Sequence, residues 1–387
     1  MIIKPMIRNG ICMNAHPEGC AIQVANQIKY VQEQGRIDGT KSALIIGSST
    51  GYGLASRIVS SFACGAPTIG VYYERPGTEK RSGTAGYYNT IAFDAIAARE
   101  GIGSTSINGD AFSNEIKDQV IDEIKAMGRK IDLVVYSLAA PVRTDPATGE
   151  TYRSVIKPIG EHFTSISADP FSRKIIECSL EPATDEEIEA TTKVMGGEDW
   201  SLWLDSLKLS DVLAEGAKTV AYSYIGPPAT HAMYRNGTIG RAKEHLEKTA
   251  AQLTDSLSEI GGRAFVSVNK ALVTRASAVI PVVPLYISLL YRVMKEKNLH
   301  ENCIHQIYRL YSDRLYKDDV PTDDEGRIRM DDYEMREDVQ REVDDLWKSI
   351  GDTNVNQIAD FNGYQETFFK FHGFGVDGVD YAREVTP

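Results

Sequence analysis

A tyrosine and a lysine lie close enough in this sequence to act together on one oxygen atom. Tyr234 precedes a helix-like segment that begins near Thr238, and Lys243 lies about two helical turns (3.6 residues each) into it. A phenol in this position is a suitable proton donor to an oxygen that becomes negative during a reaction. A nearby ammonium group favours ionisation of the phenol, so the pair predicts acid catalysis above a bound cofactor.

A glycine-rich turn upstream predicts where that cofactor binds. The segment Gly47-Ser48-Ser49-Thr50-Gly51-Tyr52-Gly53 follows a buried strand and opens an amphipathic helix. Glycines permit the tight turn and let a pyrophosphate approach the helix N-terminus, where free N–H groups attract anions. Its order, Gly-x-x-x-Gly-x-Gly, is the variant seen in short-chain dehydrogenases. An ordinary strand–helix turn is the alternative interpretation, and the context favours the cofactor.

Alternating apolar runs and helical patterns predict the architecture that positions these residues. The predicted strands begin at Ala43 and otherwise cover Thr68–Tyr73, Ser104–Asn108, Ile131–Ser137, Thr219–Ile225 and Arg263–Asn269. Strands that alternate with helices form parallel sheets with ligands at their carboxyl ends. We therefore predict an α/β fold with a Rossmann-type doubly wound parallel sheet, similar to short-chain dehydrogenases.

The residues that follow the predicted strands indicate which dinucleotide binds and where its parts lie. Glu74, after the second strand, can accept hydrogen bonds from adenosine ribose hydroxyls and repel a 2′-phosphate, which favours NADH. Arg75 partly offsets that repulsion, and an exposed surface acid is the alternative. Asp110, after the third strand, can bind the adenine amino group or cap the helix that begins near Asn114. Small residues after the fourth strand, around Leu138, leave room for nicotinamide and ribose.

Composition excludes several classes of protein. The chain has 387 residues, 42% of them hydrophobic, and a net charge of -12, so nucleic acid and anionic membranes are not expected partners. It has no membrane-spanning stretch and no signal-peptide core, and its few scattered cysteines fit a reducing cytoplasm. Cys12, His16 and Cys20 recur at four-residue spacing without a fourth ligand, so we expect packing and no metal site.

Two segments allow alternative interpretations. The regular strand–helix rhythm stops over residues 142–215, which contain a polar hairpin or loop over 144–158 and an acidic helical part. We predict an insertion that forms a substrate lid, and a packed surface subdomain is the alternative. The apolar segment Ser277–Met294 suits an acyl-chain pocket or a kinked core helix equally well.

The spacing of Tyr234 and Lys243 separates this chain from ordinary short-chain dehydrogenases, which carry Tyr-x-x-x-Lys. Here eight residues stand between them. That spacing, the chain length and several motifs resemble the trans-2-enoyl-CoA reductase / FabV-type enoyl-ACP reductase family over essentially the whole chain. Besides the glycine-rich turn, the motifs are Tyr136–Pro141, Val194–Trp200, Ala221–Gly226 and Gly262–Thr274. Glu244 departs from the pattern, because many relatives carry a second lysine there.

The resemblance implies NADH-dependent reduction of a trans-2-enoyl thioester carried by coenzyme A or acyl carrier protein. It implies Tyr234 as the proton donor, Tyr224 at the substrate and Lys243 at the nicotinamide ribose. The residues that the resemblance assigns to NAD are Gly47, Ser48, Ser49, Thr50, Gly51, Tyr52, Tyr73, Glu74, Asp110, Ala111, Leu138, Ala139, Lys243, Leu272, Val273 and Thr274.

The resemblance also implies a cytoplasmic monomer that is one globular unit. Its expected segments are an N-terminal extension with an NADH-binding unit (1–80), a catalytic segment (81–316) and a C-terminal helical segment (317–387). No residue pattern requires a flavin. A 3-ketoacyl-thioester or alcohol dehydrogenase on the same fold is one alternative function, and a non-catalytic NAD-binding sensor is another.

Overall fold

A computed structural model describes residues 1–8, 10–274 and 277–386 of the chain. The strands are β1 (Ile7–Arg8), β2 (Ile11–Cys12), β3 (Ala43–Ile46), β4 (Thr68–Tyr72), β5 (Ser104–Asn108), β6 (Ile131–Tyr136), β7 (Val142–Thr144), β8 (Thr151–Arg153), β9 (Phe163–Asp169), β10 (Lys174–Leu180), β11 (Leu213–Ser223), β12 (Arg263–Val268) and β13 (Ile328–Arg329).

The α-helices connect and flank these strands. They are α1 (Pro17–Gln34), α2 (Gly51–Phe62), α3 (Ala85–Arg99), α4 (Asn114–Met127), α5 (Asp185–Met195), α6 (Glu198–Leu209), α7 (Pro228–His231), α8 (Thr238–Leu257), α9 (Val283–Glu296), α10 (Cys303–Leu310), α11 (Glu337–Ser349), α12 (Val355–Ile358) and α13 (Phe361–Phe371). None of the described helices is both long enough and apolar enough to cross a membrane.

The central sheet has the order β5-β4-β3-β6-β11-β12-β13, and its paired strands are all parallel. The chain winds outward from β3 to β5, returns to β6 beside β3, and then winds outward in the other direction. This reversal between β3 and β6 is the switch point at which doubly wound sheets bind ligands. The predicted Rossmann-type fold is confirmed.

Side chains of the buried strands alternate between the two faces of the sheet, and a hydrophobic core lies on each face. In β3, Leu44 and Ile46 join one apolar cluster, whereas Ala43 and Ile45 join the other. Side chains of a strand alternate between faces, so a run that is apolar at every position needs cover on both sides. Helices α4, α6 and α8 contribute to the first cluster, and α2, α3 and α10 contribute to the second.

The structure corrects the predicted insertion at its C-terminal end. Trp200 and Trp203 of α6 are fully buried in the sheet cluster, and Trp200 donates a hydrogen bond to Thr219 of β11 at 2.8 Å. Helix α6 is therefore a flanking helix of the sheet, not part of a lid. The acidic residues of the segment made it look exposed in the sequence. They lie at the start of α5 and α6, where acidic side chains are favoured.

Two antiparallel hairpins precede these helices. The predicted polar hairpin is confirmed as β7 and β8. The longer hairpin, β9 and β10, packs against α9, and Phe171 at its turn contacts Phe368 of α13 edge to face at 4.8 Å.

The chain's last segment returns to the start of α1. The backbone amide of His16 donates to the carbonyl of His372 at 2.9 Å, and His16 also caps α1. A Cβ atom on Gly19 would lie 1.8 Å from the carbonyl oxygen of Gly373. Only glycine fits there, so the tail and α1 touch through their backbones.

We therefore expect Gly19→Ala to lower the free energy of unfolding by about 1 to 3 kcal/mol, as overpacking of a tight contact does. Denaturant unfolding followed by circular dichroism measures this change. Asn26→Ala, on the exposed side of the same helix, is the control and should stay within about 0.5 kcal/mol of the parent. Equal stability of both variants would contradict the close contact.

Candidate active site

The residues predicted from sequence follow the carboxyl ends of consecutive parallel strands. The glycine-rich turn follows β3, Glu74 follows β4, Asp110 follows β5, Leu138 follows β6, and Tyr224 follows β11. Because parallel strands end at the same edge of a sheet, these segments line one edge. The segment Leu272–Thr274 lies beyond the end of β12 at the same edge.

Backbone contacts fix the glycine-rich turn. Gly47 has φ +87°, and a Cβ atom there would lie 2.1 Å from the carbonyl oxygen of Ser137. A Cβ atom on Gly53 would lie 1.9 Å from the carbonyl oxygen of Gly47. Thr50 precedes α2 without a capping hydrogen bond from its side chain, so the first amides of α2 keep their capacity to bind an anion.

The predicted ribose-binding acid is held in place by its neighbours. Glu74 is half-buried, and its carboxylate accepts a hydrogen bond from the Ser49 hydroxyl at 3.0 Å. The side chain of Asn108 accepts from the amide of Glu74 at 3.0 Å and donates to its carbonyl at 2.8 Å. The acid is thus fixed beside the glycine-rich turn, whereas the adjacent Tyr73 is 77% exposed.

The two interpretations of Asp110 can now be separated. Ser113 caps α4 by accepting a hydrogen bond from Ile116, and the carboxylate of Asp110 instead accepts from the amide of Phe112 at 3.0 Å. The capping interpretation was wrong, and Asp110 is exposed at the sheet edge. Its neighbour Ala111 is buried.

Tyr224 and Tyr234 pack together just beyond β11, and Lys243 binds the backbone of the same strand. The ring of Tyr224 contacts the ring of Tyr234 edge to face, with centroids 4.8 Å apart. The ammonium of Lys243 donates to the carbonyl of Tyr222 in β11 at 3.0 Å. No hydrogen bond joins Tyr234 to Lys243, and the Tyr234 hydroxyl has no protein partner within the described part of the chain.

Burial dominates the electrostatics of this group. It raises the pKa of the Tyr234 phenol above its ordinary value, and it lowers the pKa of the Lys243 ammonium to about 8. Burial thus opposes the ionisation of the phenol that we expected Lys243 to favour, and the Tyr234 phenol is neutral at neutral pH.

The segment after β12 is held by side chains that the sequence did not reveal. The amide of Ala271 donates to buried Glu334 at 2.6 Å, and the amide of Val273 donates to the hydroxyl of Tyr291 at 3.1 Å. The amide of Thr274 donates to Ser277 at 2.8 Å. Glu334 follows an acidic run typical of exposed turns, so only the long-range fold could identify it.

A groove of about 600 Å³ lies between hairpin β9–β10 and the start of α9. It is lined by Ala168, Phe171, Ile280, Pro284 and Tyr364, among others. The rest of α9 is buried in the core. The start of the segment Ser277–Met294 therefore lines a groove and its remainder is a core helix, and use of the groove by an acyl chain stays a prediction.

Comparison with known proteins identifies the family. Residues 2–79 match a profile described as the NAD(P)H binding domain of trans-2-enoyl-CoA reductase, and residues 81–316 match its catalytic region. The chain belongs to the trans-2-enoyl-CoA reductase family. It is therefore an oxidoreductase that uses NADH, as the resemblance implied.

Curated relatives and a solved structure match the entire chain. The chain is 54% identical to trans-2-enoyl-CoA reductase [NADH] of Ruminiclostridium cellulolyticum and 56% identical to enoyl-[acyl-carrier-protein] reductase [NADH] of Flavobacterium johnsoniae. Each match covers 100% of this chain and 98% of the relative. The crystal structure of Treponema denticola trans-2-enoyl-CoA reductase in complex with NAD is 54% identical, with a TM-score of 0.96 and coverage of 100% of this chain and 98% of that chain.

A third profile, matching residues 322–385, is described as an enoyl reductase FAD binding domain. Gly373, Gly375 and Gly378 have the spacing Gly-x-Gly-x-x-Gly, but they follow helix α13, whereas the dinucleotide motif follows a strand and opens a helix. A Cβ atom on Gly373 would lie 2.5 Å from the carbonyl oxygen of His16, so α1 covers this backbone. These residues do not fit a flavin pyrophosphate.

The position of Glu74 predicts the preference between cofactors. We expect Glu74→Gln to raise the ratio of kcat/KM for NADPH to that for NADH about 10-fold, equivalent to roughly 1.4 kcal/mol, because a charge that repels the 2′-phosphate is removed. Steady-state kinetics with both cofactors measures the ratio. Glu79→Gln, an exposed acid in the following loop, should leave it unchanged, and an unchanged ratio in Glu74→Gln would rule out the assigned role.

Proposed function

We propose that this chain reduces the C2=C3 double bond of trans-2-enoyl thioesters with Tyr234 as the proton donor. Family membership supports the reaction. The contact between Tyr224 and Tyr234 beyond β11, with Lys243 on the Tyr222 carbonyl of that strand, supports the assignment of residues. NADH, when bound, supplies the hydride that C3 of the enoyl group receives. Negative charge then develops on the thioester oxygen as an enolate, and protonation at C2 completes the saturated thioester.

The cofactor site that we propose is the carboxyl edge described above. The first amides of α2 bind the pyrophosphate, and Glu74 accepts hydrogen bonds from the adenosine ribose. Lys243 reaches the nicotinamide ribose from the side of the Tyr222 carbonyl, which holds its ammonium. We place the nicotinamide beside Leu138 and Ala139, which follow β6 next to the closely packed Gly47 and Ser137.

The chemistry that we assign to Tyr234 follows from its burial. A phenol that is 7% exposed stays protonated, and its hydroxyl is available to an incoming oxygen. A donor aimed at the oxygen on which charge develops stabilises the transition state more than the ground state. Tyr224, in contact with the Tyr234 ring, lies beside the same oxygen.

The acyl chain fits the groove lined by Ile280 and Pro284, because that surface is mainly apolar and lies near the Tyr224–Tyr234 pair in one apolar cluster. The carrier is coenzyme A or acyl carrier protein, since relatives of nearly equal identity are named for each. We also propose a monomer in the cytoplasm, in line with the acidic composition and the reduced cysteines.

We expect Tyr234→Phe to lower kcat with crotonyl-CoA by about 100-fold or more, because a donor to the developing oxyanion is lost. Loss of NADH absorbance measures turnover, and parallel assays with crotonyl-acyl carrier protein identify the preferred carrier. NADH binding, followed by its fluorescence, should stay within about twofold, because the phenol contributes to the chemical step and not to cofactor binding.

Tyr30→Phe is the matched control for this substitution. Tyr30 lies in α1 against His305, away from the sheet edge. It should retain parental kcat with both carriers. If Tyr234→Phe also retained parental kcat, another residue would have to donate the proton.

The low pKa of Lys243 predicts a pH dependence of cofactor affinity. The ammonium is protonated below a pKa of about 8 and loses its charge above it, so KM for NADH should rise between pH 7 and 9. In Lys243→Arg the guanidinium stays charged over this range, and the rise should be absent. Lys248→Arg, exposed on the same helix, should keep it. Identical profiles for all three proteins would show that Lys243 is not the titrating group.

A further inference from the structure

The segment Lys270–Thr274 follows β12 without regular secondary structure, and side chains from elsewhere in the chain fix its backbone. The amides of Ala271, Val273 and Thr274 each donate to such a side chain. Among residues 1–8, 10–274 and 277–386, neither the Leu272 amide nor the Val273 carbonyl has a hydrogen-bond partner, although both residues are buried. A buried backbone group without a partner is costly, so these two groups are available to a ligand.

The two unpaired groups match the carboxamide of a nicotinamide. A carboxamide has one oxygen that accepts and one nitrogen that donates, so it can bind a backbone amide and a neighbouring carbonyl together. The segment also lies beyond β12 at the same sheet edge as the glycine-rich turn. The path of its backbone therefore decides whether the carboxamide can be held.

Gln306 of α10 holds the first residue of this segment. Its side-chain oxygen accepts from the Lys270 amide at 3.1 Å, and its side-chain nitrogen donates to the Glu301 carboxylate and the Met330 carbonyl, both at 2.8 Å. The carboxylate and the carbonyl only accept and the Lys270 amide only donates, so one orientation of the Gln306 amide satisfies all three. Gln306 is completely buried, which holds it in this orientation.

The other backbone group of Lys270 is held by α2. The Tyr52 hydroxyl donates to the Lys270 carbonyl at 3.1 Å. Tyr52 lies in the first turn of α2, whose first amides we assign to the pyrophosphate. Helices α2 and α10 pack against each other, and together they fix both backbone groups of Lys270. Lys270 thus connects the proposed pyrophosphate site with the segment that follows β12.

We propose that Gln306 is a positioning residue for the nicotinamide. It holds the Lys270 amide and thereby sets the path on which the Leu272 amide and the Val273 carbonyl face the carboxamide. This rests on the proposed function, which places the nicotinamide at this edge of the sheet. Gln306 is 36 residues from Lys270 in the chain, so only the fold brings the two together.

A cofactor fragment tests the proposal. ADP-ribose contains the adenosine, the pyrophosphate and the second ribose of NADH, but no nicotinamide. Gln306→Met keeps a side chain of similar length and removes the acceptor of the Lys270 amide. It should weaken NADH binding about 10-fold and leave ADP-ribose binding within about twofold of the parent, because only the nicotinamide end depends on Lys270. NADH fluorescence measures the first affinity, and displacement of NADH by ADP-ribose measures the second.

Gln365→Met is the matched control for this substitution. The side-chain amide of Gln365 also donates to a backbone carbonyl far away in the chain, that of Pro170 at 2.6 Å. This variant should keep parental affinity for both ligands. A general loss of packing in Gln306→Met would weaken both ligands alike, so equal factors for NADH and ADP-ribose would overturn the proposal.

An exchange between Gln306 and Glu301 provides a second variant. In Gln306→Glu combined with Glu301→Gln, position 306 still accepts from the Lys270 amide, and the hydrogen bond between the two side chains is kept in the opposite direction. Arg309 donates to the Met330 carbonyl at 3.1 Å, so that carbonyl keeps a donor. NADH affinity should return to within about threefold of the parent. A double variant that binds NADH as weakly as Gln306→Met would contradict the role of this acceptor.

Turnover separates this proposal from the proposed function. Oxidation of NADH by crotonyl-CoA in the parent, and its loss in Tyr234→Phe, test the proposed function alone. If the parent reduces crotonyl-CoA and Gln306→Met binds both ligands as the parent does, the positioning role is wrong and the proposed function stands. If the parent does not reduce crotonyl-CoA and Gln306→Met loses affinity for NADH alone, the proposed reaction is wrong and the positioning role stands.

Discussion

The site depends on a backbone contact between the first and fourth parallel strands. Gly47 touches the carbonyl of Ser137, and Gly53 touches the carbonyl of Gly47, at distances that leave no room for a side chain. This contact places the first amides of α2 opposite the end of β6, at the switch point of the sheet. The other site residues follow strands of the same parallel sheet. Their positions are therefore set relative to β3 and β6 by the pairing of the strands.

Burial of ionisable groups at the same edge is the second constraint. Lys243 and Lys270 each donate to a backbone carbonyl, of Tyr222 and Ala271, and in both the loss of hydration lowers the pKa of the ammonium to about 8. An anionic ligand beside such an ammonium restores its charge, because the opposite charge offsets desolvation. The two buried ammonium groups would thus favour an anionic cofactor locally, although the chain as a whole carries a net charge of -12.

Sequence patterns predicted those parts of the proposed site that are formed by residues close together in the chain. The strand, the glycines and the helix from Ala43 onward are encoded within one stretch, and so are Glu74 and the Tyr234–Lys243 spacing. Sequence did not show that α6 belongs to the sheet layer, because its burial results from contact with β11 and α8. Nor did it reveal Glu334, because the pairing of β13 with β12 decides its burial.

The short strand β13 ties the C-terminal segment to the central sheet that carries the proposed site. Two residues pair with β12, and the turn that follows directs Glu334 inward to Tyr224. Further along, Gly373 packs on α1, and its carbonyl accepts from the Tyr381 hydroxyl at 2.9 Å. Glycine in this tail thus allows its backbone to contact α1.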